Sequence, residues 1–321
     1  MHRDISGNGG WEIFLARPLH ARVVRFAQEV MPVLRILYIA TVVAVIASGM
    51  VEGKTWNVPA DVSTIKAAVD SCAASGDIIS ISGGIYHEGS IVVDGKNISI
   101  NQSGQVTVIA PSIGIGTCFA IRNATGGSLS SLIIRGFGTA IAVENASPVI
   151  QFVTLKACNQ GLTVAGASSP QFIYSIIDSC GTGIEVQAGS VTLQNETIVH
   201  CGTGVRFLGG SASMTRSIVY GCTTGVQCAG GGASLGCNDF YLNGADYDGC
   251  AQGTNDFFLD PKFCFWASSA GPYWLHSTSP CFVVSLNPCN VKIGAIAGPL
   301  PGCTGTAVER SSWGSIKSIY R

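Results

Sequence analysis

The chain reads as an all-β solenoid, a single-stranded parallel β-helix of 21–22 residues per coil with a short N-terminal capping helix. Three observations predict it. Cys158, Cys180, Cys201 and Cys222 recur at intervals of 22, 21 and 21 residues, each followed by a small residue and then an apolar-x-apolar strand. The same rhythm aligns Gly138-Thr139-Ala140-Ile141-Ala142-Val143, Gln160-Gly161-Leu162-Thr163-Val164, Gly181-Thr182-Gly183-Ile184-Glu185-Val186, Gly202-Thr203-Gly204-Val205-Arg206-Phe207 and Thr224-Gly225-Val226-Gln227-Cys228. Glycines also recur at fixed offsets from apolar alternation, which suits tight corners between short strands. A fixed period of this length marks units too small to bury their own faces, which therefore stack on their neighbours.

From the amino end, residues 1–53 read as a leader. Ile36 to Ala47 is an apolar run behind Arg35 that ends in Ala47, Ser48 and Gly49, the pattern of a secretory signal peptide. It falls short of the ~20 residues of a membrane-spanning helix, so membrane association is expected only if the leader stays uncleaved. Met31-Pro32-Val33-Leu34-Arg35 has the form of a normal signal start, with cleavage after Gly49 or Gly53, which places the mature chain outside the cell or at its surface. Trp56-Asn57-Val58-Pro59 then precedes a short helix that Ser63 can cap, with Ile65, Ala68, Val69 and Cys72 on one face to cover a sheet edge. Gly76-Asp77 ends it. Ile78–Ser82 with Gly83-Gly84 reads as the first strand and its corner, and strands follow at Ile91–Val93, Ile98–Ile100, Val106–Ile109 and Phe119–Ile121.

From Leu132 the β-helix body, placed in 54–255, becomes regular. One inward column is Ile134, Leu155, Ile177, Ile198, Val219; another is Ile141, Leu162, Ile184, Val205, Val226, followed two residues later by Val143, Val164, Val186, Phe207 and Cys228. A one-residue slip would turn every apolar column outward. Roughly eight turns are expected. Between the inward columns Ala142, Thr163, Glu185, Arg206 and Gln227 face out, so Glu185 and Arg206 become neighbours able to pair across one coil step.

Thirteen cysteines divide in two. The four periodic ones read as a buried thiol ladder, because stacked coils present parallel side chains that bridge poorly. Cys237, Cys250, Cys264, Cys281, Cys289 and Cys303 lie in or beside the irregular stretch 256–321, expected to pack on the last coils, and are the disulfide candidates. No short Cys-x-x-Cys spacing suggests a metal, and no cofactor is expected. With a net charge of −1 and 12% charged residues, no basic surface invites nucleic acid.

Thr55-Trp56-Asn57-Val58-Pro59, Thr64 to Asp70, Gly76-Asp77-Ile78-Ile79, Gly84-Ile85-Tyr86-His87-Glu88, the coils from Leu132 to about Gly244, and Asp260-Pro261-Lys262-Phe263-Cys264, Ser279-Pro280-Cys281 and Ile293-Gly294-Ala295 together carry a resemblance. The chain resembles the right-handed parallel β-helix proteins of the pectin-lyase-like superfamily, of the secreted bacterial type. The resemblance implies a right-handed helix and is specific for fold rather than activity. No Gly-x-Val-Asp-Phe-Ile-Phe-Gly segment of a pectin methylesterase is present, and the Asp-Asp and His-Gly elements of a polygalacturonase are missing. Acidic residues are too sparse in the coils for a calcium-dependent pectate lyase.

The outward column Arg135, Lys156, Asp178, Val199, Tyr220, Tyr241 is the best substrate-binding candidate, since tyrosine rings stack on sugars and Arg and Lys hold acidic groups. The plainer alternative is a charge-balanced face whose tyrosines shield the sheet. Asp178, Glu185 and His200 are the catalytic candidates; scattered, solvated carboxylates and a polar surface histidine are the simpler readings. Asp246, Tyr247 and Asp248 read as a turn. Asn123-Ala124-Thr125 and Asn195-Glu196-Thr197 are sequons that matter only in a glycosylating host. The leading expectation is carbohydrate or cell-surface binding without catalysis. A polysaccharide lyase or glycoside hydrolase is the alternative, and a structural or adhesive surface protein the second.

Overall fold

The structure, a computed structural model, describes residues 53–264 and 273–295. The expected leader up to Glu52 and Cys303 lie outside them. Among the described residues no helix is long and apolar enough to cross a membrane.

Short strands stack into a parallel β-solenoid of about 9 turns, close to the eight expected. Each regular coil contributes three strands. The first family includes Leu132–Arg135, Thr154–Lys156, Ile176–Asp178, Thr197–Val199, Ile218–Tyr220 and Asp239–Tyr241. The second includes Thr139–Glu144, Gln160–Ala165, Thr182–Val186, Thr203–Phe207, Thr224–Cys228 and Ala245–Asp248 and forms an eight-stranded sheet. The third, which includes Val149–Gln151 and Gln171–Ile173, joins the first in a 15-stranded sheet because Ser75–Tyr86 and Asn97–Ile109 run through both. The expected breaks at Gly83-Gly84 and between Ile100 and Val106 are therefore bends within long strands, the first marked by a register shift between Ser82 and Gly84.

The expected columns are in register, Leu155 between Ile134 and Ile177 and Leu162 between Ile141 and Ile184, and those side chains are fully buried. Each such aliphatic group contributes about 1.5–3 kcal/mol over an exposed one. Cys228 departs from its column. It is half-buried and bonded to Cys250 one coil on, Cα–Cα 5.2 Å, because the chain turns at Gly249 (φ 71°) and brings Cys250 back alongside. Neighbouring coils are thus bridged here despite parallel stacking. Cys237 pairs with Cys289, and Cys264 is disulfide-bonded, whereas Cys281 is a buried free thiol. Cys158, Cys180, Cys201 and Cys222 are free and buried, each thiol donating to the carbonyl two residues back.

Single residues with positive φ turn the coil. Ser131, Phe152, Tyr174, Asn195, Arg216 and Cys237 form one corner, and Ala157, Ser179, His200 and Leu242 share another with Gly136 and Gly221. A non-glycine residue in this region costs on the order of 1–3 kcal/mol and persists because its surroundings hold it; here the Tyr174, Ser179 and His200 N–H groups donate to Gln194, Val199 and Tyr220 of the next coil.

At the amino end helix α1 (Ile65–Ser71) packs on Ile91–Asp94, the edge of the eight-stranded sheet. Thr64, not Ser63, caps it, accepting from Ala67 N at 3.0 Å, while the Glu88 carboxylate takes the Ile65 and Lys66 N–H groups. At the other end Phe257, Phe263, Tyr273, Leu275, Cys281 and Ile293 pack on Val199, Ile218 and Tyr220, which makes a second apolar cluster on the outside of the solenoid.

Candidate functional site

Arg135, Lys156, Asp178, Val199, Tyr220 and Tyr241 occupy equivalent positions on six successive strands of the 15-stranded sheet. The column is not an open strip. Arg135 is exposed and Lys156 half-buried, but Asp178, Val199 and Tyr220 are buried beneath the C-terminal residues. The Tyr220 ring meets His200, Tyr241 and Phe263 at centroid distances of 5.5, 6.2 and 5.4 Å, so its faces and edges are taken up within the protein.

Asp178 is the centre of a polar cluster at the upper margin of this cover. Lys156 Nζ lies 2.7 Å from Oδ2, Ser179 Oγ donates to Oδ1 at 2.7 Å, and His200 Nδ1 stands 4.0 Å from Oδ1. The Tyr273 hydroxyl bonds the same carboxylate. Burial alone would raise the Asp178 carboxyl, yet His200, Lys156 and Ser179 outweigh it and hold the group well below the usual carboxylate range. Burial and the Asp178 carboxylate beside it push the Tyr273 hydroxyl up. Among the described residues His200 Nε2 is buried without a hydrogen-bond partner. The cluster brings together a cation, an acid and an imidazole from three adjacent coils, but its acid is a permanently ionised carboxylate rather than a proton donor.

Glu185 lies elsewhere, on the eight-stranded sheet, in a lateral row of polar side chains. Gln160 Nε2 donates to Glu185 Oε1 at 3.4 Å, Gln187 Nε2 donates to the same oxygen at 2.8 Å, and Arg206 Nη1 pairs with Oε2 at 3.6 Å. Arg206 Nε donates to Gln227 Oε1 at 2.9 Å, and Gln227 Nε2 to Asp248 Oδ2 at 2.8 Å. The row spans five consecutive coils. Glu185 itself is only 6% exposed, because these neighbours enclose it. Asp246, Tyr247 and Asp248 sit on the last strand of this sheet rather than in a turn, with Tyr247 OH donating to Asp256 at 2.9 Å.

Glu196, named in the sequence as part of a sequon, is fully buried. It belongs to an inner ladder in which a side chain of each coil accepts the N–H of the coil before. Ser175 accepts from Val153, Glu196 from Ser175, Ser217 from Glu196, Asn238 from Ser217 and Asp256 from Asn238. The sequon residue Asn195 is 4% exposed and donates to the Lys292 and Gly294 carbonyls, which closes it to modification in the folded chain, whereas Asn123 is exposed. Among the described residues no group of three or more His, Cys, Asp or Glu side chains is placed to hold a metal.

No protein-family model matches the chain, and no curated protein matches it.

Proposed function

We propose that this protein binds an extended glycan, free or on a cell surface, along the outer face of its eight-stranded sheet, without cleaving it. The row from Gln160 through Glu185, Arg206 and Gln227 to Asp248 carries this reading. A polymer of regular repeat is matched by donors and acceptors of regular spacing, and stacked coils supply one set every ~4.8 Å. The lateral bonds fix each side chain before a ligand arrives, which lowers the ordering cost of binding. Each amide and the guanidinium still has hydrogen-bonding capacity toward solvent. Two carboxylates and one guanidinium leave the row only weakly charged, which favours sugar hydroxyls over a densely acidic chain. Arg135, which makes no ion pair among the described residues, and Lys156 on the neighbouring sheet are the positions suited to a single acidic substituent.

Catalysis is disfavoured by the carboxylates. Hydrolysis of a glycosidic bond by paired acids needs two carboxyl groups flanking it, about 5–9.5 Å apart. Among the described residues Asp178 has no second carboxylate in its cluster, and Glu185 is on the other sheet. The disulfides suit an oxidising, extracellular compartment.

Size-exclusion chromatography of neutral and acidic polysaccharides incubated with the purified chain tests the proposal. Intact polymer co-eluting with the protein, and released when Arg206→Ala and Gln227→Ala are introduced, is the expected result. Retention lost only with Arg135→Ala moves the site to the other sheet. Shortened polymer overturns the non-catalytic reading and directs mutation to Asp178 and His200.

A further inference from the structure

Asp239 breaks the pattern of its column. It follows Thr154, Ile176, Thr197 and Ile218 on the outer face of the 15-stranded sheet, at the last regular coil, and it is fully buried. What buries it is the C-terminal stretch. Oδ1 accepts the Leu259 N–H at 3.0 Å, Oδ2 faces the Cys281 thiol at 3.0 Å, and Phe257, Phe263, Leu275 and Ile293 complete the contact with the sheet. Asp260 from the stretch and Asp246 from the solenoid are the charged groups that act on it, both acidic, with the Cys281 thiol the third titratable neighbour.

We propose that Asp239 and Cys281 form a pH-operated latch: with the carboxyl protonated the C-terminal stretch is closed over the sheet, and with the carboxyl ionised the stretch lifts and uncovers Val199, Ile218 and Tyr220. Among the described residues this buried carboxylate has one amide and one thiol for donors and no cation, which leaves it poorly compensated. Burial pushes the Asp239 carboxyl up to about 7; the Cys281 thiol and the Leu259 N–H offset this in part, and Asp260 and Asp246 add to it. In the lifted state the group returns to the ordinary aspartate value near 3.8. The closed form therefore binds the proton more tightly. Its advantage is complete below the ordinary value, shrinks as pH rises, and is gone above about 7. Over that interval the opening equilibrium increases by up to about tenfold per pH unit. The backbone through residues 253–256 and the Cys237–Cys289 disulfide anchor the stretch at two points, so it swings rather than departs. Lifting also removes Tyr273 from Asp178, which exposes the Lys156–Asp178–His200 cluster.

Hydrogen exchange of the oxidised full chain, followed by mass spectrometry from pH 4 to 8.5 and corrected for the intrinsic rate, tests the latch. Peptides covering 257–264 and 273–293 are expected to open more with rising pH, by up to about tenfold per unit, and to level off above about 7. A peptide from the inner coils, such as 160–173, serves as the control and is expected to stay flat. Asp239→Asn flattens the response in both. A flat response in the unaltered chain, or the same slope in Asp239→Asn, overturns the proposal. Should that variant fail to fold, Cys281→Ala gives a separate readout. Without the thiol donor the ionised carboxyl is less stabilised, so the plateau moves to higher pH; an unmoved plateau is equally fatal.

Discussion

At Glu196 the protein keeps a carboxyl in its driest place. Oε2 accepts the Ser175 N–H at 3.0 Å, and Oε1 has no hydrogen-bond partner among the described residues. Burial pushes the group well above the ordinary glutamate value, against the opposing bonds from the Ser175 and Gln194 backbone. A raised carboxyl stabilises the fold fully below its ordinary value, and that contribution is lost as pH rises. Glu196→Gln keeps the acceptor for Ser175 and cannot ionise. Its unfolding free energy in urea is expected to match the parent at pH 4 and exceed it at pH 8, by on the order of 1–3 kcal/mol. A difference between the two chains that does not change with pH would refute this. The ladder to which Glu196 belongs was not legible in the sequence. Ser175, Glu196, Ser217, Asn238 and Asp256 are of four residue types; only their reach to the N–H of the previous coil unites them.

The coil is the element in which sequence and structure agree best. Period-two alternation exposed the inward columns, since any other register turns them to water. The recurring glycine has a more specific cause than loose corners. A Cβ on Gly204 would lie 2.5 Å from the Gly225 carbonyl oxygen and 3.2 Å from Val219 Cγ1, and on Gly183 it would lie 2.5 Å from the Gly204 oxygen. Backbone of the next coil occupies the space. Gly204→Ala should therefore force neighbouring coils apart and cost about 1–3 kcal/mol in urea denaturation. Gly232 meets nothing within 4 Å and serves as the control, with Gly232→Ala near neutral. Equal losses at both sites would mean that backbone freedom, not close approach, selects glycine. The corners left no comparable mark. Phe152, Tyr174, His200 and Arg216 all take positive φ, a conformation set by coil geometry and next-coil hydrogen bonds against their own preference.

For the whole molecule the decisive feature is the C-terminal cover, whose consequences are long-range and so escaped a periodic reading. Asp178 looked solvated because the Tyr273 that shields it is far along the chain, outside any repeat. Tyr220 looked like a platform for sugars because its column faces outward, yet Phe263 and Tyr273 follow from a segment with no rhythm of its own. The cover is tied down by Cys237–Cys289, which spans 52 residues. In a chain-entropy account a link of that span stabilises by about 4 kcal/mol. Cys237→Ser should lower the unfolding midpoint accordingly and make residues 273–293 easier to exchange. Truncation after Gly253 goes further. It bares Val199, Ile218 and Tyr220, and it removes Asp256, the acceptor for the Asn238 N–H and the Tyr247 hydroxyl, so the last coil loses both its apolar cover and its inner ladder. Exposed apolar surface beside unsatisfied strand groups invites association edge to edge. The truncated chain is expected to elute as aggregate in size-exclusion chromatography while the full chain elutes as a discrete species. A soluble, monomeric truncation would show instead that the coils up to Gly253 close on themselves and that the C-terminal stretch serves only to cover the Asp178 cluster.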